Sequence, residues 1–177
     1  MNRPKSEIYN DSVCVYVSVN VSNPLWGKVA LILANLFILT IIGLGIAWQI
    51  PLMIICFGLL FVSLIKYSLW NFCGCENLII NTRAVSYQHN YGLFKTRYVT
   101  KRLQSRLIIS HSVYKACSGC VLCSFGSYKQ IDNTPFELYN MIFPMTEVDA
   151  KYLNASIEKL FIDDMSKRYD LPQIILN

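Results

Sequence analysis

The sequence predicts an α+β membrane protein: a transmembrane helical hairpin, then an antiparallel β-sandwich or barrel with a C-terminal amphipathic helix. Three observations carry that prediction. Residues 29–65 hold no charged side chain. After residue 70 the chain breaks into short β-type segments separated by turn residues. An apolar stripe at helical spacing lies near the C-terminus. With 177 residues there is room for one ordinary domain and an accessory element.

The hairpin comes first. Residues 29–48, VALILANLFILTIIGLGIAW, are long enough to cross a hydrocarbon core of ~30 Å at ~1.5 Å per residue. Gln49, Ile50 and Pro51 break the helix, because proline cannot continue it and restricts the residue before it. Residues 52–70 form a second span, with Lys66 placed to snorkel toward headgroups. Trp26, Trp48 and Trp70 mark three successive membrane interfaces, where amphipathic indoles concentrate. A soluble helical core rarely carries two adjacent charge-free spans, and a signal peptide would start closer to Met1 and be shorter. The connecting loop is uncharged while Arg3, Lys5, Lys28 and Lys66 flank the other ends. The positive-inside rule then puts both termini in the cytoplasm, which in a bacterium makes this an inner-membrane protein.

The remaining elements follow in order. In SVCVYVSVNVS, Val13, Val15, Val17, Val19 and Val21 alternate with Cys14, Tyr16, Ser18 and Asn20, the pattern of a half-buried strand. A lone strand is unstable, so it pairs either as an edge strand of the later domain or with another chain. Six or seven strands follow residue 70 in ENLIIN, AVSYQHN, LFKTRYVTK, RLIISHSVY, CVLCSF and PFELYNMIF. Thr146 is placed as N-cap with Asp149 three residues on. Tyr152, Leu153, Ile157, Leu160, Phe161 and Met165 then make a helix of about five turns that covers the β-core and ends at 170–172. The expected organisation is an N-terminal segment 1–25, the hairpin 26–70, a cytoplasmic β-domain 71–170 and a tail 171–177.

Trp70, Gly74, Glu76, Leu78 and Ile80 form a run W-x-x-x-G-x-E-x-apolar-x-apolar directly after the two spans. Gly92-Leu93 then opens a basic-aromatic strand, and Phe125-Gly126 precedes a further strand and the C-terminal helix. This set resembles the membrane-anchored bacterial proteins with a pleckstrin-homology-like (PH-like) domain, over roughly residues 26–169. The resemblance implies an orthogonal β-sandwich with one end plugged by the C-terminal helix, and a binding role without catalysis. The cysteine-rich strand and the valine-rich N-terminal strand depart from that pattern.

Charge and cysteine define the candidate sites. Between residues 66 and 115 eight cations face only Glu76. Lys95, Arg97, Lys101, Arg102 and Arg106 are the candidates to bind an anion, a lipid headgroup or a partner. Strand alternation would set Lys95, Arg97 and Lys101 on one face and Tyr98 on the other. Tethered near an anionic leaflet, each such cation contributes about 1 kcal/mol of attraction. Nucleic acid is not an expected partner, since aromatic residues are not interleaved on the basic face.

Catalytic signatures are missing. The two histidines, His89 and His111, lie on separate strands, and there is no nucleophile elbow, phosphate-cradling glycine loop or zinc-binding helix motif. A dyad of Cys75 or Cys123 with either histidine has no local signature. A thiolate metal site would need Cys117, Cys120 and Cys123 with Cys73 or Cys75, but only Cys117–Cys120, across Ser118-Gly119, has turn chemistry. A cytoplasmic side also disfavours stable disulfides. The expectation is no metal and no cofactor.

Within the spans, Asn35 is placed to hydrogen-bond across helices. Two functions are expected from these features. One is a membrane-anchored, non-catalytic scaffold or accessory subunit that engages another membrane protein or its own copies. The other resembles the two-helix effectors of bacterial anti-phage signalling, with a cytoplasmic β-barrel that senses a cyclic nucleotide or anionic lipid.

Overall fold

The computed structural model describes residues 4–169. Its elements run β1 (Ser6–Asn10), β2 (Val15–Asn20), α1 (Leu25–Ala47), α2 (Pro51–Cys73), β3 (Cys75–Ile80), β4 (Ala84–Asn90), β5 (Val99–Arg102), β6 (Leu107–Val113), β7 (Cys120–Tyr128), β8 (Pro135–Asn140), β9 (Met145–Thr146) and α3 (Glu147–Tyr169). The class is α+β, with two long apolar helices, antiparallel sheets and a C-terminal helix.

Both helices are long and apolar enough to cross a membrane, with mean hydropathies of 2.6 and 2.2. They start one residue before and end three residues after the predicted 26–70 span, from Leu25 to Cys73. The break between them is a Schellman closure: Ile50 N–H donates to Gly45 and Gln49 N–H to Ile46, with Gln49 in the left-handed region at φ 54°. Pro51 then starts α2, where its missing N–H costs nothing. Asn35 does hydrogen-bond across the pair, to Ser68 Oγ at 2.7 Å.

The β-strands form two open sheets, in the order β1-β2-β3-β4-β5 and β6-β7-β8, with β9 paired to β7; they do not close into a barrel. The valine strand pairs antiparallel with β3 from Val15↔Ile80 to Asn20↔Cys75. It is an interior strand of the sheet rather than the expected edge, because β1 covers its other side. The sequence reading missed β1, since Ser6–Asn10 shows no β-branched alternation. The two strands are joined by an Asx turn in which the Asp11 carboxylate accepts from the Val13 and Cys14 N–H groups.

Consequently α1 and α2 are inserted into the connection between two neighbouring strands, and 1–25 contributes its strands to the same sheet as β3. The core lies between the sheets: Val15, Val17, Val19, Leu78, Ile80 and Val85 from one, Cys123, Phe125 and Leu138 from the other. Ala150, Leu153, Ile157 and Leu160 of α3 cover its end. Thr146 caps α3 as predicted, accepting from Asp149 N–H at 3.1 Å. Tyr152 and Met165, expected in the apolar stripe, are instead exposed. Ser6 bonds Asp149, and the Asn10 side chain donates to the Ser156 carbonyl, so α3 also clamps β1. The predicted helix end and the tail from 171 lie outside the described residues.

Candidate functional site: the junction of hairpin and sandwich

The hairpin meets the sandwich at the end of α2, and the local sequence dictates how. Gly74 follows the helix because a side chain there would strike the Trp70 carbonyl oxygen, 2.1 Å from an added Cβ. The other leg closes alongside, with Val21 N–H donating to the Gly74 carbonyl at 2.9 Å and the Asn23 side chain to Asn71. Trp70 itself leaves the helix surface for the domain. Its ring stacks on Phe143 at 4.7 Å, lies 4.9 Å from Tyr91 and meets His89 edge-on at 5.4 Å.

Behind this cluster sits a fully buried carboxylate, Glu76. The Tyr139 hydroxyl donates to it, and the Ile142 and Phe143 N–H groups lie within 3.1 Å of Oε2. Burial pushes its carboxyl above the ordinary range, and the three hydrogen bonds offset that only in part. Tyr139 also meets His89 Nε2 at 2.9 Å and stacks on Tyr87 at 4.0 Å. Burial lowers the His89 pKa, so the ring is held neutral. The sequence places His89 on a strand, as found. Its partner, and the part played by Glu76, were not legible because residues 76 and 139 come together only in three dimensions.

A second polar chain runs through the other sheet. Cys123 Sγ lies 3.3 Å from His111 Nδ1, and His111 Nε2 lies 2.9 Å from the Asn154 side-chain amide. This is a Cys–His–Asn succession in outline, assembled by the cross-strand register His111↔Cys123. The sulfur is fully buried, however, and burial pushes its thiol up to about 11. A protonated, unreachable sulfur is a poor nucleophile.

The five candidate metal cysteines are dispersed. Cys117 and Cys120 are joined as a disulfide across the Gly119 turn, contrary to the sequence expectation that stable disulfides are disfavoured. The turn explains it: the chain reverses between β6 and β7 with Gly119 at φ 74°, and the two Cα atoms lie 5.4 Å apart. Cys75 is buried and contacts Ser18, Cys73 is exposed at the end of α2, and Cys123 faces His111. No three His, Cys, Asp or Glu residues are grouped to hold a metal among the described residues.

The basic candidates are all exposed and come from two loops and one strand. Lys95 and Arg97 belong to the β4–β5 loop, and Arg106 to the connection before β6. Only β5 alternates regularly: Lys101 pairs across from the buried Val85, and Arg102 from Ala84 on the opposite face. The expected grouping of Lys95, Arg97 and Lys101 therefore fails, because the strand begins at Val99 and not at Leu93. None of the five forms an ion pair among the described residues. Trp26 and Trp48 are exposed at the two ends of α1.

The outer face of the larger sheet carries a shallow groove of about 280 Å³ whose lining includes Glu7, Tyr9, Tyr16, Asn77, Ile79 and Tyr98. The cross-strand row Tyr9↔Tyr16↔Ile79 builds its floor. No protein-family model matches the chain, and no curated protein or solved structure matches it.

Proposed function

We propose that the chain is a membrane-anchored, non-catalytic interaction module. The hairpin crosses the bilayer, both termini lie in the cytoplasm, and a PH-like sandwich is presented there to another membrane protein or a second copy. One observation carries this reading. The two helices leave from β2 and β3, hydrogen-bonded neighbours, so the sandwich is held at two points and cannot swing as a domain on a single linker would. Trp70 and its aromatic partners tighten the same joint. The buried, protonated Cys123 and the enclosed Glu76 support the non-catalytic part.

The test has two parts. Membranes from expressing cells are extracted at alkaline pH and their termini probed with protease; the protein should stay in the pellet with both ends on the cytoplasmic side. The protein is then crosslinked in those membranes and purified in mild detergent, where a defined complex is expected. Release from the membrane, termini on opposite sides, or a solitary uncrosslinked chain each sinks the proposal.

The outer-face groove supports a second reading. Tyr98 lines it, and Arg102 shares a face with Thr100, whose hydroxyl bonds Ser86. The exposed Tyr98 ring suits stacking on the base of a nucleotide, and Arg102, at the far end of β5, is the basic candidate on that face of the strand to add charge. A thermal-shift panel of cyclic nucleotides and phosphoinositides on the full chain separates the two readings.

A further inference from the structure

The β4–β5 loop, 91–98, reads YGLFKTRY. Its first residues, Tyr91 and Gly92, lie against the last two turns of α2, and the chain then returns along β4, with Lys95 bridged to Asn90. Tyr91 lies between two residues one helical turn apart, 4.9 Å from the Trp70 ring and with the Lys66 ammonium 5.7 Å from its own ring centre. Phe94 stacks on Tyr91 at 4.6 Å. At Gly92 the backbone comes so close to α2 that an added Cβ would sit 2.7 Å from the Cys73 Cβ. Only glycine fits there, and its φ of 87° is also one that side chains resist.

This packing fixes the depth of the loop relative to the hairpin. Lys66 is the one cation of α2, a type that snorkels to a bilayer surface, and Trp70 one turn on packs its ring into the domain. The loop at their level presents Leu93, 82% exposed, and Phe94, 42% exposed, followed by exposed Lys95 and Arg97. Two apolar side chains at a tip with two cations behind is the division of an interfacial segment: apolar groups below the headgroups, cations among the phosphates. Backbone entering that layer must be hydrogen-bonded internally, and much of this loop is. Tyr91 N–H donates to Phe94, Gly92 N–H to the Asn90 side chain, and Thr96 N–H to His89.

We infer that the β4–β5 loop is a membrane foot, inserting Leu93 and Phe94 into the headgroup layer of the leaflet that α2 leaves and binding anionic lipid phosphates through Lys95 and Arg97. Continuity with α2 and complementary charge select the bilayer as occupant. The inference rests on the proposed membrane crossing of the hairpin and adds a third attachment to the two covalent ones.

Tryptophan fluorescence tests it on the full-length protein in liposomes whose acyl chains are brominated near the glycerol end. The native Trp26, Trp48 and Trp70 report on the hairpin. Leu93→Trp reports on the loop, and Ile131→Trp, at a fully exposed turn position, is the solvent control. The expected result is quenched native emission and a further quenched, blue-shifted component from Leu93→Trp, greater with phosphatidylglycerol than with phosphatidylcholine. Adding Lys95→Gln and Arg97→Gln should cut the inserted-to-free ratio about fivefold per charge removed and abolish the lipid-charge dependence. Quenched native tryptophans with a Leu93→Trp that stays open to aqueous acrylamide overturn the foot alone. A Leu93→Trp shielded from both quenchers means that protein covers the loop and also overturns it. Unquenched native tryptophans overturn the membrane reading itself.

Discussion

Tyr139 donates its hydroxyl hydrogen to Glu76, a carboxylate with no exposed surface, while standing 2.9 Å from His89 Nε2. One phenol thus joins the start of β3, which carries the hairpin, to β8 of the other sheet. Removing the carboxylate leaves Tyr139 and the Ile142 and Phe143 N–H groups without their acceptor. Glu76→Ala should cost about 3 kcal/mol and lower Tm by roughly 10 °C, measured by thermal unfolding in detergent. Glu76→Gln keeps an acceptor and should lose less than half of that. Equal losses would show that volume, not hydrogen bonding, is what the site needs.

The same pair sets an opposed pH dependence. Burial raises the Glu76 pKa, so its contribution to stability is complete below its ordinary 4.5 and fades as pH rises through the higher folded value. Burial lowers the His89 pKa, so its contribution is complete above 6.5 and fades as pH falls through the lower folded value. Acidification from pH 6.5 therefore relieves Glu76 while it strains His89. Glu76→Gln should show a steeper acid loss than wild type, and His89→Gln a shallower one, in Tm measured against pH. Parallel curves for all three proteins would contradict the assignment.

Gly92→Ala adds a methyl where Cys73 leaves no room and forces a residue with a Cβ to φ 87°. The expected cost is about 2 kcal/mol. The loop should also lift off α2, breaking the Tyr91–Trp70 contact and shifting tryptophan emission to the red. An unchanged spectrum would mean that the loop tolerates the methyl where it lies.

Cys123 should resist alkylation at neutral pH, because its sulfur is buried and its thiol is pushed up to about 11. The exposed Cys73 should react readily under the same conditions in detergent. Peptide mass spectrometry after timed iodoacetamide treatment reads both. Cys123 labelling at the rate of Cys73 would reopen the case for a nucleophile working with His111.

The parts of the fold that were legible in sequence are those governed by local periodicity. The charge-free stretch 29–65, the alternating valines and the Thr146 cap each state their element within a short window. Ser6–Asn10 escaped notice because its strand character comes from its neighbour β2, not from its own residues. Residues 93–98 alternate as a strand would, yet β5 begins only at Val99, after a turn at Gly92 with its φ of 87°. The junction was least legible. The contact of Trp70 with Phe143 and the bond between Glu76 and Tyr139 span long separations that no pattern encodes.

The pairing of Asn20 with Cys75 restricts how the chain can be threaded. Any layer that α1 enters must be left again on the same side, since a single crossing would hold β2 and β3 apart and tear the sheet at its centre. The order of synthesis adds a delay. β1 and β2 emerge first, yet β2 has no second neighbour until both helices have been placed and β3 follows. On the proposed membrane crossing, the sheet closes only on a chain whose two helices have been laid down as a pair.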